Sequence, residues 1–235
     1  MALPQLNDTL KYSLQIPSSK QKVSFRPFLV KEQKILLVAL ESQDETMILQ
    51  SIVDTIKSCV YDEIHEKDLA TFDVEYMFTQ IRAKSVGETT NITLGCDKCE
   101  EPNEINISLT DIDIELTSST LIELNDVYTL QMRYPSYKHM VELSNLTELT
   151  QTDQLLELCI SCSEYILTED EQISIQEEDK KEIVTFFESL NNEQFDKIVK
   201  FVMNLPKLKK DVEFTCSKCS EENKIAVEGL QSFLS

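Results

Sequence analysis

The chain has 235 residues, a length that suits one large domain or two small ones with a substantial hydrophobic core. Lysine and arginine number 22 against 42 aspartates and glutamates, so the net charge is −20. A surface this negative disfavours nucleic acid and anionic membranes as partners. Only three glycines are present, which excludes glycine-rich phosphate-binding loops, and residues 1–10 lack the pattern of a secretory signal.

The first half of the chain alternates between predicted hairpins and helices. Residues 11–28 place alternating apolar side chains around a Pro-Ser-Ser-Lys turn, which predicts a β-hairpin. Helical periodicity follows in three stretches: 31–41, 45–59 and 68–85. Ser42 or Asp44 is expected to cap the second helix. The run Ile35–Leu40 is apolar enough for the first helix to be buried.

The second half has weaker strand signals and clearer helices. Strands are predicted at 112–116 and within 121–132, with a turn at Asn125-Asp126. Helices are predicted over four ranges: 136–143, 154–167, 180–190 and 192–205. Asn191 with Gln194 has the spacing of a helix cap.

Six of the seven cysteines form three Cys-x-x-Cys pairs, and two of these pairs lie in an internal repeat. A shift of 120 residues superimposes residues 92–107 on 212–227, including Cys96 and Cys99 on Cys216 and Cys219. Each copy has alternating apolar residues on both sides of the cysteine pair, which predicts a pair of strands joined at the cysteines. Each pair therefore lies at the tip of a hairpin.

Two such hairpin tips supply the four thiolates that a structural zinc site requires. We therefore predict that Cys96, Cys99, Cys216 and Cys219 bind one Zn²⁺ in a zinc-ribbon-like module, with Lys98 and Lys218 offsetting part of the negative charge. The site would be structural, since no ligand position is left open. One alternative is that the tips hold no metal. The other is a disulfide within each pair, and the lack of an export signal disfavours disulfides.

The remaining cysteines lie on predicted helices. Cys159 and Cys162, three residues apart, share one helix face with several leucines and isoleucines, so they are interpreted as core residues, with metal or redox use as the alternative. Cys59 closes a similar apolar stripe. His139 is a candidate base, but no motif places a nucleophile beside it.

A partner site is suggested by the segment Ser24-Phe25-Arg26-Pro27-Phe28. Arg26 is one of three arginines, and its aromatic neighbours suit an interface anchor, so Phe25, Arg26 and Phe28 are predicted to bind a partner. The alternative is that Arg26 pairs with an internal acid while the phenylalanines fill the core.

Several segments resemble the baseplate hub and hub-assembly proteins of T-even-like contractile-tailed bacteriophages. The similar segments are Leu3-Pro4 before the first hairpin, Ser24–Glu32 with the apolar helix after it, Phe72–Tyr76, Arg82–Glu88 with Cys96 and Cys99, and Tyr134–Ser136. The resemblance implies a non-enzymatic late protein that contacts other hub or tail proteins, in the host cytoplasm during assembly or in the virion baseplate. It supplies no catalytic residues.

The predicted fold class is α+β, with helical middle segments between β-hairpins. Its predicted parts are an N-terminal hairpin (1–30), a helical segment (31–88), a zinc-ribbon-like module (89–110 with 208–235) and an inserted strand and helical segment (111–207). The predicted function is that of a structural component or assembly factor of the baseplate hub, without nucleic acid or membrane partners. A cellular zinc-ribbon adaptor is the alternative, followed by a thiol- or metal-dependent enzyme that uses Cys159, Cys162 or His139.

Overall fold

The computed structural model describes residues 10–112, 114, 116, 119–144 and 150–233. Helices and strands are mixed in this structure, which confirms the α+β class. The strands are β1 (Tyr12–Gln15), β2 (Lys22–Phe25), β3 (Thr89–Gly95), β4 (Pro102–Ser108), β5 (Leu121–Glu123), β6 (Thr129–Met132), β7 (Ser163–Leu167), β8 (Gln172–Ser174), β9 (Lys209–Thr215) and β10 (Glu222–Glu228). The helices are α1 (Val30–Ser42), α2 (Glu45–Cys59), α3 (Thr71–Ser85), α4 (Tyr137–Ser144), α5 (Gln151–Cys162), α6 (Lys180–Glu188) and α7 (Asn192–Met203).

The chain divides into two compact units. The first consists of Met1–Ile114 and Lys207–Ser235, and the second of Glu115–Pro206. The first unit contains the antiparallel hairpins β1–β2, β3–β4 and β9–β10 together with α1–α3. The second contains a four-stranded antiparallel sheet of order β5-β6-β7-β8 and the remaining helices. The division into four parts made from the sequence stays a prediction.

Two helix starts lie where the sequence predicted them. The Asp44 carboxylate accepts hydrogen bonds from the backbone N–H groups of Thr46 and Met47, so Asp44, rather than Ser42, caps α2. Asn191 and Gln194 form a reciprocal capping box at the start of α7. Both caps satisfy N–H groups that the first helical turn leaves without partners.

The predicted helix over 154–167 is wrong in its last five residues. The helix ends at Cys162, and Ser163–Leu167 form β7, which pairs with β6 on one side and β8 on the other. Arg133 explains the end of α5, since its backbone N–H donates to the Cys162 carbonyl (2.6 Å) and its Nε to the Ser161 carbonyl (3.0 Å). A residue distant in sequence thus satisfies the last carbonyls of the helix, and the chain continues as a strand.

Two further expectations differ from the structure. Helix α1 is not buried along its apolar run, because Ile35, Leu37 and Val38 are each more than half exposed while Leu36 and Ala39 are buried. The described residues of 112–116 are not in a strand, and Asp113 and Glu115 lie outside the described residues. Ile112 is nevertheless buried in the core of the first unit.

The three hairpins of the first unit share one type of turn. In each hairpin, the residue directly after the first strand is Ile16, Cys96 or Cys216. Its N–H donates to the carbonyl of the residue five positions later, and its carbonyl accepts from the N–H of the residue four positions later. The turn closes through a residue in the left-handed region: Lys20 (φ 59°), Glu100 (φ 58°) and Ser220 (φ 59°). Ile16 and Ser19 thus occupy the positions that the other two hairpins give to their cysteine pairs.

The repeated hairpins β3–β4 and β9–β10 meet in one hydrophobic cluster. The buried repeat positions Ile92, Ile107, Val212 and Val227 lie in this cluster, with Ala83 of α3. Burial of a large aliphatic side chain stabilises a fold by roughly 1.5–3 kcal/mol. Apolar packing therefore joins the two hairpins below their tips.

Candidate metal centre

Four cysteine sulfurs converge at the tips of the hairpins β3–β4 and β9–β10. The Sγ atoms of Cys96, Cys99, Cys216 and Cys219 all lie within 4.8 Å of one another, so the group could hold a metal ion. Cys96 Sγ lies 3.6 Å from Cys219 Sγ, and Cys99 Sγ lies 3.6 Å from Cys216 Sγ. Both of these sulfur pairs join the two hairpins, which are more than a hundred residues apart in the chain.

Two buried asparagines connect the hairpins around the sulfurs. Asn103 Oδ1 accepts from the backbone N–H of Ser217 (2.8 Å), and Asn223 Oδ1 accepts from that of Asp97 (2.9 Å). Each amide also donates to the carbonyl of its own hairpin's turn. Asn103 Nδ2 lies 3.8 Å from Cys216 Sγ. The reciprocal bonds give the site an approximate twofold symmetry and satisfy buried polar groups on both sides.

Ion pairs repeat this symmetry at the surface. Lys98 Nζ lies 2.6 Å from a carboxylate oxygen of Glu221, and Lys218 Nζ lies 2.6 Å from one of Glu101. The glutamate partners raise the pKa of both lysines, and the nearby thiols add a smaller attraction in the same direction. The lysines were expected to offset thiolate charge, but their direct partners are glutamates of the opposite hairpin.

Hydrogen bonds from backbone N–H groups make some of the thiols acidic. The N–H groups of Cys219 and Lys218 lower the pKa of the Cys216 thiol to about 6, against the effect of burial. Burial raises the pKa of Cys96, but the N–H groups of Lys98 and Cys99, together with the contact with the Cys219 sulfur, bring it below its ordinary value. Thiolates are the form in which cysteine binds metal, so these bonds favour a cation among the sulfurs.

The other two thiols hold their protons more tightly. The N–H group of Glu101 lowers the pKa of Cys99, yet burial and the neighbouring sulfurs raise it to about 12. The pKa of Cys219 is also raised, in spite of the N–H group of Glu221. A cation bound between the sulfurs would offset the repulsion between neighbouring thiolates. Its binding would therefore release the protons of Cys99 and Cys219.

The asparagine bridges yield a prediction. Asn103→Ala and Asn223→Ala each remove a bridge between the hairpins, and we expect each to weaken metal binding by about 10- to 100-fold, as is typical for outer-shell partners. Affinity would be measured by competition with a chromophoric chelator.

The matched control for the asparagine variants is Asn106→Ala. Asn106 is an exposed asparagine of β4 whose side chain bonds to Asn91 within its own hairpin. It should leave metal affinity unchanged, and an equal loss in all three variants would contradict the bridging role.

Comparison with known proteins identifies the family. A family model described as T4 bacteriophage base plate protein matches residues 9–235. The chain belongs to this family of T4 base plate proteins. No curated protein and no solved structure matches it.

Membership of this family confirms the part of the resemblance that concerns baseplate proteins. Two of the segments that carried the resemblance contain buried carboxylates of this baseplate protein, namely Glu32 and Asp73. Asp73 accepts from the backbone N–H (2.9 Å) and the hydroxyl (2.5 Å) of Ser18, and from the N–H of Ala70 (2.9 Å). It joins the turn of the first hairpin to α3.

Within the described residues, no helix is both long and apolar enough to cross a membrane.

The partner-binding residues predicted for the baseplate protein occupy different environments. Phe25 is buried at 2% exposure, and Phe28 is half-buried. Arg26 lies 2.9 Å from the buried carboxylate of Glu32 and also donates to the carbonyl of Ser58. These contacts match the alternative of an internal pair, and a partner role for the three residues stays a prediction.

The remaining cysteines of the baseplate protein are separate from the cluster. Burial raises the pKa of Cys159 to about 11 and of Cys162 to about 12. Burial likewise raises the pKa of Cys59 to about 11. All three are therefore neutral thiols near pH 7, which is unfavourable for nucleophilic or metal chemistry. His139 is half-buried in α4.

Sequence reasoning missed the two asparagines and the roles of the Asp73 and Glu75 carboxylates. The repeat did superimpose Asn103 on Asn223, and a polar residue that recurs within an apolar alternation was the available signal. Asp73 and Glu75 had no such signal. Glu75 accepts from the N–H groups of Leu208 and Leu230, which are distant in sequence, and burial raises its pKa.

Proposed function

We propose that this baseplate protein is a non-enzymatic component or assembly factor of the baseplate hub that acts through protein contacts. We propose further that one zinc ion, bound by Cys96, Cys99, Cys216 and Cys219, holds its first unit together. Family membership supports the baseplate role, and the convergence of four thiols supports the zinc site. The hub assignment extends the resemblance noted in the sequence.

The geometry of the sulfurs supports zinc as the metal. Four thiolates at the Zn–S distance of about 2.3 Å form a tetrahedron with edges of about 3.8 Å. The two close sulfur pairs, at 3.6 Å, approach this edge, and all four sulfurs lie within 4.8 Å. Soft sulfur ligands in tetrahedral arrangement favour zinc over harder cations such as calcium or magnesium. With four protein ligands, the site is closed and structural.

The zinc site has a direct consequence for folding. The first unit is built from both ends of the chain, and the metal would join a hairpin at residues 89–108 to one at residues 209–228. Because unfolded cysteines do not form a prearranged site, the free energy of metal binding contributes to the stability of the fold. The second unit would then be carried as an insertion.

Metal content and thiol titration test the zinc site together. We expect about one equivalent of zinc by mass spectrometry, and four thiols that react with a mercurial reagent as zinc leaves. Cys59, Cys159 and Cys162 should react only after denaturation, because burial raises their pKa values. Less than about half an equivalent of zinc in freshly purified protein would contradict the site.

The hub role is tested in infected cells. The tagged protein should co-purify with hub or tail proteins in baseplate intermediates, and comparison with finished virions would separate a permanent component from an assembly factor. Absence from every baseplate intermediate would contradict the proposal. A Cys159→Ala, Cys162→Ala double variant that still supports assembly would argue against the enzymatic alternative.

A further inference from the structure

The surface of α1 is unusually apolar. Val30, Ile35, Leu37 and Val38 are 79%, 55%, 53% and 54% exposed, and Met47 at the start of α2 is 48% exposed. Apolar residues lie on nearly every side of this helix, a pattern typical of buried helices. Several large exposed apolar side chains on one helix exceed the scattered single ones that are ordinary on a protein surface, and such surfaces mark sites of protein interaction.

A groove of about 170 Å³ lies beside this surface in the first unit. Its lining includes Leu36, Leu37 and Leu40 of α1, Ile48 and Ile52 of α2, and Phe78 of α3. A cavity of roughly 150 Å³ holds one benzene molecule, so the groove has room for one side chain the size of leucine or phenylalanine. The groove is formed by helices, so an occupant would dock by side chains and would supply its own backbone hydrogen bonds.

The charges at the groove differ from those of the whole chain. Arg82 is the one charged side chain among its described lining residues, and burial lowers the pKa of its guanidinium. Lys31 and Lys34 are exposed on α1 with Glu41, so cations outnumber anions on the exposed surface of this helix. The chain as a whole has nearly two acids for each base. An anionic group is therefore the better complement here.

A second copy of the chain is a poorer occupant. Each copy carries a net charge of −20, which opposes self-association. A twofold contact through α1 would also bring Lys31 and Lys34 near their own counterparts.

We propose that the groove and the exposed surface of α1 dock an amphipathic helix of a partner protein, which inserts one leucine- or phenylalanine-sized side chain and places a carboxylate against Arg82. This inference rests on the proposed contact-based function and specifies the surface and the partner chemistry.

Two designed peptides test the docking surface on the full zinc-loaded chain. Each is a fluorescein-labelled helix of about 15 residues with leucines at i, i+4, i+7 and i+11, flanked by glutamates in one peptide and lysines in the other. We expect the glutamate peptide to bind at least about tenfold more tightly in fluorescence anisotropy. The net charge of −20 would favour the lysine peptide, so equal or reversed affinities overturn the proposal.

Variants locate the binding and identify other occupants. Leu37→Ser should weaken the glutamate peptide at least about tenfold, and Arg82→Gln should remove the preference for glutamate. The control Leu121→Ser changes a leucine of equal exposure (52%) in β5 and should have no effect. Insensitivity to Leu37→Ser overturns the proposal. So does self-association in sedimentation that Leu37→Ser abolishes, since it would identify a second copy as the occupant.

Zinc content measured on the same samples separates this inference from the proposed function. Stoichiometric zinc without the peptide preference overturns the docking surface alone. The peptide preference in protein without zinc overturns the zinc site and supports the docking surface.

Discussion

Cys96→Ser and Cys216→Ser are expected to lower zinc affinity and thermal stability by the same amount. Both residues are buried, and both lie at the first position of a Cys-x-x-Cys pair. The Sγ atom of each lies 3.6 Å from the Sγ atom of the second cysteine in the other hairpin's pair. Either substitution removes one of four ligands from a single shell. The loss of affinity should exceed the about 10- to 100-fold that an outer-shell substitution causes.

The measurement is zinc content with a thermal melt, for each variant and the unmodified protein. Cys59→Ala is the control, because Cys59 is a buried thiol outside the cluster and should keep a full equivalent of zinc. Chelation of the unmodified protein should reduce its melting temperature to that of the two ligand variants. Unequal losses in Cys96→Ser and Cys216→Ser would instead indicate two independent hairpin tips, each with its own metal or none.

Arg26→Gln is expected to destabilise the protein by about 3–5 kcal/mol at pH 7, the typical cost of leaving one member of a buried ion pair without its partner. Side chains of Arg26 and Glu32 are 12% and 5% exposed and lie 2.9 Å apart. Glu32 also accepts from the N–H of Leu29 at the start of α1. Without the guanidinium, the buried carboxylate keeps only the N–H of Leu29 and the exposed ammonium of Lys31, whose Nζ lies 3.3 Å from Oε1.

The effect of this substitution depends on pH in a defined direction. Burial raises the pKa of Glu32, but hydrogen bonds from Arg26 and Leu29 lower it below the ordinary value of 4.5. A lowered carboxyl pKa contributes stability that is present above 4.5 and is lost as the pH falls through the folded-state value. The penalty of Arg26→Gln should therefore shrink as the pH falls from 7 to 4, because the buried Glu32 of the variant has lost the guanidinium that lowers its pKa and becomes protonated at a higher pH than in the unmodified protein.

Urea unfolding of both proteins between pH 7 and pH 4 measures this difference. Comparison at equal pH cancels the loss of zinc that acid causes in both. Lys34→Gln makes the same change of charge at an exposed position of α1 and should alter stability by less than about 1 kcal/mol. A pH-independent penalty, or one that grows in acid, would contradict the ion-pair explanation.

Much of the first unit could be predicted because its signals are local. Alternation of apolar and polar side chains on both sides of the cysteine pairs indicates strands. The two residues between the cysteines of each pair indicate a turn from which both thiols point in the same direction. The caps at Asp44 and Asn191 depend on residues within one helical turn, and they were also predictable.

The errors occurred where a distant segment decides the outcome. Apolar periodicity continues beyond Cys162, but pairing with β6 and hydrogen bonds from Arg133 end the helix there. The apolar run of α1 predicted burial, but too few elements of the described chain pack around it to cover Ile35 and Val38. The partners of Asn103 and Asn223 in the opposite hairpin are backbone groups 114 and 126 positions away.

The sequence by itself determined which atoms can bind a metal and how they are grouped, because the spacing within a turn sets the direction of both thiols. Only the tertiary structure decided that the two tips meet, that asparagines link them, and that α1 leaves an apolar groove open. Those outcomes depend on apolar and backbone contacts between remote segments, which local periodicity does not record.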